Sequence, residues 1–347
     1  MAAQPEPSIA VIGATGVVGR TLLEILATRF RAPSVLRLFA SSRSAGSTLK
    51  VGKHQYQIES LDAASLKGFD LVFLCAGAEI SREYAPRAVR HGAWVIDNSS
   101  AFRMDASVPL VIPEVNPEVL EGIETPQVIA NPNCSTILGL IAVNPIRNAV
   151  GIERLIMSTY QAASGGGQAL MDELENQIHD HAAGRPYRLA ALDRPYLLNA
   201  FSHETAIDAD GYNGEERKII NETRKIWNQP NARITATCVR IPVLRSHCES
   251  ITLTLKSPLK ADTARGLMAE APGLTVWDDQ ENGKFPEPFH ASGRDDVLIG
   301  RIRNDLSQPE GTGLHLFLAG DQLRKGAALN SVQIAELLLA KHPSLHR

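Results

Sequence analysis

The run Ser8-Ile9-Ala10-Val11-Ile12-Gly13-Ala14-Thr15-Gly16-Val17-Val18-Gly19 decides the fold of this chain. Its first five residues read as a buried strand, and the glycine-rich turn that follows opens onto Leu22, Leu23, Ile25 and Leu26 at helical spacing. Strand, glycine turn and helix form the context in which backbone amides at a helix N-terminus face a pyrophosphate. The glycines are spaced GxxGxxG, one residue different from GxGxxG, but the same amides and the same close backbone approach are available. Gly13, Thr15, Gly16, Val17 and Val18 are therefore the candidate dinucleotide contacts.

Outward from this turn, Val35–Ala40 reads as the next strand and ends in Ser41-Ser42-Arg43-Ser44. An NAD site usually places an acid here to hold the ribose 2'-hydroxyl. Hydroxyls and a guanidinium instead suit a 2'-phosphate, so the cofactor expected is NADP(H). Further strands are expected at 70–74, 94–96 and 110–112, with a helix over 81–91. Alternation of this kind over about 130 residues predicts an α/β domain, a doubly wound parallel sheet of the Rossmann type. Ligands bind beyond the carboxyl ends of such strands, which makes Arg103, in Asp97-Asn98-Ser99-Ser100-Ala101-Phe102-Arg103, a candidate anion ligand.

Past a short apolar run comes Asn131-Pro132-Asn133-Cys134-Ser135-Thr136. Pro132 biases Asn131 towards an extended conformation, and Asn133 is a good N-cap. A helix starting at Cys134 is expected to run to about Asn144, where Pro145 interrupts it. The thiol then stands at the positive end of a helix, a position that favours the thiolate. Cys75, inside an apolar run, reads as a small buried hydrophobe.

The second half lacks regular alternation and reads as α+β. Strands are expected at 155–161, 234–240, 250–256, 274–277, 297–303 and 314–319, and helices at 168–181, 215–227, 261–270 and 327–339. Residues 182–213 form a long irregular stretch between them. The domain boundaries expected are 1–132, joined by 326–347, for nucleotide binding and 133–325 for catalysis and dimerisation. Arg240 is an isolated charge in an otherwise apolar strand, so it calls for a ligand or an acidic partner. Glu215 and Lys218, three residues apart on a helix, fit either a site or a solvated pair.

Composition narrows the function. The 347 residues, 44% hydrophobic and 21% charged, describe an ordinary globular protein of two domains. A formal net charge of -3 gives no reason to expect nucleic acid or an anionic membrane. Four cysteines without CxxC or Cys/His spacing argue against zinc and a disulfide framework, and His179-Asp180-His181 reads as a polar helix end rather than a metal site. No apolar stretch approaches a membrane span, and the first seven residues lack signal-peptide character, so a reducing, cytoplasmic setting is expected.

GATGVVG, NPNCSTI, STYQAASGGG, CVRIPVLRSH and GDQLRKGAALNSVQIAE together resemble the aspartate-β-semialdehyde dehydrogenase family over nearly the whole chain. The related N-acetyl-γ-glutamyl-phosphate reductases characteristically read NPGCY at the nucleophile, and non-catalytic NADP-binding paralogues lack the cysteine. The resemblance implies NADPH-dependent reductive dephosphorylation of β-aspartyl phosphate to aspartate β-semialdehyde through a Cys134 thioester. That is a step of lysine, threonine, methionine and diaminopimelate biosynthesis. It further implies His247 as acid/base and Gln161 as orienter of the acyl intermediate. Arg240 would clamp the substrate α-carboxylate from a position seven residues before His247 on the same strand, and Glu215 would take the amine. Arg103, Lys218 and Asn133 would meet phosphate, and Ser164, Gly165 and Asn330 would complete the cofactor contacts. A homodimer is implied, with no metal.

Overall fold

Ser8–Ile12 forms β1, buried along its whole length, in the computed structural model of the chain, which describes residues 6–30, 33, 35–61 and 65–342. The expectation about a signal peptide rests mainly on residues 1–5, which lie outside the described residues. The chain divides into two units, one running to Asn133 and resuming at Ala327, the other Cys134–Gly326. Each crossing falls one residue later than the boundary expected from the sequence.

In the first unit β1 is followed by α1 (Val17–Arg29), β2 (Val35–Ala40), β3 (Thr48–Val51), β4 (His54–Ser60), β5 (Leu71–Leu74), α2 (Ala78–Arg90), β6 (Trp94–Asp97) and β7 (Val128–Ala130). The sheet order is β3-β4-β2-β1-β5-β6-β7, parallel throughout except where β3 pairs antiparallel with β4. Continuous apolar runs such as Leu71–Leu74 are what strands covered on both faces require. The order reverses outward from β1, and at that switch point β1 delivers its glycine turn. The β3–β4 hairpin was not legible, because its residues are largely polar and half-exposed. Leu110–Ile112 is not a strand: only Leu110 makes an isolated bridge, to Ala130, and Ile112 N–H instead donates to the Asn116 side chain. The helix expected from Ser81 begins at Ala78, on Gly77.

The second unit opens with α3 (Cys134–Val150), then β8 (Ile152–Gln161), α4 (Gln168–Ala182), β9 (Phe201–Ser202), α5 (Gly214–Ile226), β10 (Arg233–Arg240), β11 (His247–Leu255), α6 (Ala261–Ala269), β12 (Leu274–Val276), α7 (Pro288–Ala291), β13 (Val297–Asn304) and β14 (Gly313–Gly320). The sheet order is β12-β13-β14-β11-β8-β10-β9. Parallel β8–β10 and β12–β13 pairs sit among antiparallel ones, so the sheet is mixed. α3 runs through Pro145 rather than ending before it. An internal proline costs about 3 kcal/mol, but Val143 and Ile146 flanking it are fully buried, and burial at 1.5–3 kcal/mol or so per large apolar side chain outweighs that loss. The chain closes with a π-helical turn, Arg324–Ala328, and α8 (Leu329–Lys341), which returns to the first unit and joins the core around Leu22, Trp94 and Ile129. The last α-helix thus starts two residues later than expected.

Register stacks the second sheet in rows. Cys238 pairs with Thr159, Thr159 with Glu249 and Glu249 with Leu318, one row across β10, β8, β11 and β14. Two residues further towards the strand ends, Arg240 pairs with Gln161 and His247 with Gly320. Arg240 and His247 are therefore on different strands, contrary to expectation: Arg240 ends β10, residues 241–246 turn the chain, and His247 begins β11. The turn passes through Ser246 at φ 74, a conformation rare outside glycine. α3 packs on β8, β11, β13 and β14.

Candidate active site

In the first unit the glycine turn packs tightly and leaves the start of α1 without a side-chain cap. Gly13 has φ +83, and a Cβ there would stand 2.5 Å from the Cys75 carbonyl oxygen. At Gly19 a Cβ would fall 2.3 Å from the Gly13 carbonyl oxygen, so α1 seats directly on the turn. Gly16 caps α1 without a side-chain bond, and no acid occupies the first turn. The amides near Thr15, Val17 and Val18 are thus uncapped by side chains, as an anion site requires. The residue pattern fits a dinucleotide. Ser41–Ser44 follow β2 in a turn closed by Ser44 N–H to Ser41 C=O at 2.9 Å, with Ser41, Ser42 and Arg43 exposed.

Two other residues singled out in the sequence lie deeper. Arg103 is buried, donating through Nε to the Asn131 carbonyl (2.9 Å) and through Nη2 to the Asn98 carbonyl (2.8 Å). Asn330 has no exposed surface; its Nδ2 donates to the Val111 carbonyl (3.0 Å) and to Asn131 Oδ1 (2.6 Å). Its amide thus braces the Asn131-Pro132-Asn133 segment, a packing role that the sequence did not disclose. Asn133 is buried immediately before α3.

In the second unit Cys134 is the first residue of α3 and half-buried. The other three cysteines are held as thiols. Burial, reinforced by Asp97, pushes Cys75 up to about 12; burial, reinforced by Glu249, pushes Cys248 up to about 12; burial likewise raises Cys238. Close packing surrounds the helix start, where a Cβ on Gly326 would come within 3.0 Å of the Cys134 Cβ.

The next residue, Ser135, ties the helix start to β8. Gln161 Nε2 donates to Ser135 Oγ (2.8 Å) and to Glu215 Oε1 (3.1 Å), and Lys218 Nζ pairs with Glu215 Oε2 at 2.9 Å. Glu215 is buried, so this is not the solvated surface pair that its spacing permitted. An N-cap at Asn213 explains why α5 starts there: its side chain accepts from Glu215 N–H and Glu216 N–H, and Glu216 bonds back to the Asn213 amide.

His247 is fully buried and its pKa is pushed down to about 3, by desolvation first and then by the Arg240 charge. The Ala162 amide donates to Nδ1 at 3.0 Å, so in the neutral ring the proton resides on Nε2. Nε2 itself has no hydrogen-bond partner, nor has Gln161 Oε1. One buried donor and one buried acceptor therefore stand unpaired in the same cluster, a deficit that a polar ligand would fill. Gly165 makes room for it: a Cβ there would lie 2.9 Å from His247 Cε1 and 3.0 Å from Arg240 Nη1. Ser164 is buried, and its hydroxyl accepts from Gln322 Nε2.

Arg240 has the acidic partner that its burial demands. Nε and Nη2 fork onto Glu204 Oε2 (3.0 Å) and Oε1 (2.6 Å), and Nη1 donates to the Ala162 carbonyl (3.2 Å). Glu204 was not foreseen, because it lies in the irregular stretch where no periodicity marks a facing side. Glu249, in the row of Cys238 and Thr159, was also missed. Its carboxyl is fully buried and has no hydrogen-bond partner, and burial raises its pKa well above the ordinary range, so it is neutral. A carboxyl at a core-facing position of alternating β11 was the available signal.

His179-Asp180-His181 holds no metal-like set. Asp180 accepts from Arg185 and Arg188, and His181 Nδ1 meets the Tyr187 hydroxyl at 2.8 Å. Among the described residues no group of three or more His, Cys, Asp or Glu could hold a metal, and no helix is long and apolar enough to cross a membrane.

Comparison with known proteins identifies two matched regions. A family model for the NAD-binding domain of semialdehyde dehydrogenase matches residues 8–123, and one for its dimerisation domain matches 143–325. Aspartate-semialdehyde dehydrogenase of Synechocystis is 46% identical over 97% of this chain and 99% of its own length. The Aquifex aeolicus protein of that name is 43% identical over 95% and 97%. Aspartate semialdehyde dehydrogenase II of Vibrio cholerae, solved in complex with ASA, superimposes with a TM-score of 0.93 at 38% identity, covering 97% of this chain and 99% of that one.

Proposed function

The chain belongs to the aspartate-semialdehyde dehydrogenase family, and we propose that Cys134, Gln161 and His247 carry its chemistry, with Arg240, Glu215, Lys218, Arg103 and Asn133 holding the substrate. The reaction is the reversible reductive dephosphorylation of β-aspartyl phosphate to aspartate β-semialdehyde, in aspartate-derived amino-acid biosynthesis. The observation that carries the assignment of residues is the pair of unpaired buried atoms, His247 Nε2 and Gln161 Oε1, in the cluster that Ser135 ties to the first residue of α3.

The Cys134 thiolate attacks the β-carbonyl carbon; the bond to the phosphate oxygen breaks, and an aspartyl thioester remains. Gly13, Thr15, Gly16, Val17 and Val18 would hold a nicotinamide nucleotide, with Ser164 and Gly165 as further contacts, and when bound it would supply hydride. The tetrahedral oxyanion carried on Cys134 then collapses, expelling thiolate and releasing the aldehyde. That collapse needs no net proton, only a donor for the oxyanion. The Nε2–H of neutral His247 meets this need, and the Ala162 amide on Nδ1 prevents the ring from taking up the proton as imidazolium without losing that bond. Gln161 offers an acceptor to orient the acyl group, and Glu215 a carboxylate for the ammonium. Lys218 and Arg103 bring positive charge for phosphate.

The cofactor is NADP(H), supported by Ser41, Ser42, Arg43 and Ser44 where an NAD site would place an acid. Arg43→Glu is expected to weaken NADPH about tenfold or more while NADH changes little, since a carboxylate repels the 2'-phosphate. Fluorescence titration with both cofactors measures this, and equal losses would make Arg43 structural. The matched dimerisation domain supports a homodimer, and a reducing cytoplasm keeps Cys134 available as a thiol. The activity is tested by following NADP reduction with aspartate β-semialdehyde. Turnover that requires phosphate or arsenate is expected, and phosphate-independent turnover would exclude the acyl-phosphate route.

A further inference from the structure

The guanidinium assigned to the substrate carboxylate is already holding one. Arg240 is 2% exposed, and its two-pronged edge, Nε and Nη2, is closed by the Glu204 carboxylate at 3.0 and 2.6 Å. The remaining nitrogen, Nη1, faces the Ala162 carbonyl and the close approach of Gly165. Hence a second carboxylate cannot take the same bidentate position while Glu204 remains there. Glu204 differs from Arg240 in being one-third exposed along its side chain, so it lies on the solvent side of a buried cation.

The backbone around Glu204 is held independently of its side chain, with Thr205 Oγ1 accepting from the Glu215 amide and the Ala206 carbonyl from the Gly214 amide. β9 is two residues long and pairs with Val239 and Arg240 at the sheet edge, and His203 N–H adds one bond to the Cys238 carbonyl. Firm anchors lie to either side. Before it, Gln177 Oε1 accepts from the Tyr196 and Leu197 amides; after it, the Asn213 cap fixes the start of α5. A rotamer change at Glu204 alone would release Arg240 without disturbing either anchor. Burial raises the pKa of Glu204, but the Arg240 hydrogen bond and charge outweigh burial and hold it below the usual carboxylate range, so the group is anionic near neutral pH.

We propose that Glu204 is an internal stand-in for the substrate's α-carboxylate, occupying the Arg240 fork in the free enzyme and leaving it when substrate binds. The inference rests on Arg240 being the carboxylate clamp. Its consequence is selectivity: a ligand must replace a carboxylate that is already bidentate, so weak monocarboxylates fail to occupy the fork, and substrate binds less tightly than the fork alone would allow. Glu204 is thus a positioning residue that sets affinity and takes no part in bond making.

Glu204→Gln keeps the shape and removes the charge. The expected result is a KM for aspartate β-semialdehyde lowered about tenfold, with a much smaller change in kcat. Acetate, added as a probe, is expected to become a competitive inhibitor of the variant at concentrations that leave the wild type unaffected. A KM that is unchanged or raised in Glu204→Gln would overturn the proposal, because Glu204 would then be a support for Arg240. Arg240→Lys in the wild-type background separates the two levels of failure. If that change leaves KM unaltered, the clamp itself is wrong; if it raises KM while Glu204→Gln does not lower it, only the stand-in is wrong.

Discussion

Cys134→Ser should bind NADPH as the wild type does and turn over at least about a thousandfold more slowly. A serine hydroxyl at the start of α3 has the same helix dipole but is not ionised near neutral pH, and an ester is a poorer hydride acceptor than a thioester. The selectivity argument lies in the remaining thiols. Cys75 and Cys248 are pushed up to about 12, and Cys238 is raised as well, all by burial, so none supplies thiolate at neutral pH. Mass spectrometry after incubation with an acyl donor should find one adduct, on Cys134, and none in Cys134→Ser. Acylation of Cys75, Cys238 or Cys248 in an otherwise intact protein would move the nucleophile elsewhere.

Local signals made the first unit readable. β1, its glycine turn and α1 are contiguous, and their apolar patterning follows from burial on both faces, so a dozen residues suffice to place the switch point. β3 and β4 escaped because an edge hairpin with polar, half-exposed residues leaves no periodic trace. α3 shows the opposite failure. The local cost of Pro145 was legible, while the tertiary burial that overrides it was not.

The second unit hid its site because its chemistry is assembled across strands. Ser135, Gln161 and Glu215 are 26 and 54 residues apart and meet only once β8 and α5 are packed. Arg240 announced itself as a charge needing a partner, but whether that partner was a ligand or Glu204 depended on the irregular segment between α4 and α5. The tautomer of His247 was beyond sequence altogether, since it is fixed by one backbone amide.

Arg240→Lys and His247→Asn should fail in different ways. Lysine at 240 keeps the charge and loses the planar fork, so the carboxylate is held by a point charge and the β-carbon is no longer fixed relative to the thiol. A fall of about ten- to a hundredfold in kcat/KM for aspartate β-semialdehyde is expected, with NADPH affinity retained. His247→Asn should instead lower kcat, about a hundredfold, with little change in KM, and retain more activity than His247→Ala because the asparagine amide still offers a donor. The pH profile distinguishes donor from base. Desolvation and Arg240 push His247 down to about 3, so it stays neutral across the range in which an ordinary histidine titrates near 6.5. Wild-type kcat should therefore show no inflection near 6.5 that disappears in His247→Asn. The unfolded chain, by contrast, protonates this histidine below about 6.5 while the folded one does not until about 3. Its burial thus withdraws stability as pH falls through that interval, and His247→Asn should flatten the acid limb of the unfolding curve. An inflection near 6.5 that depends on His247 would mean that the ring ionises during turnover, and the Ala162 bond to Nδ1 would have to break in the catalytic cycle.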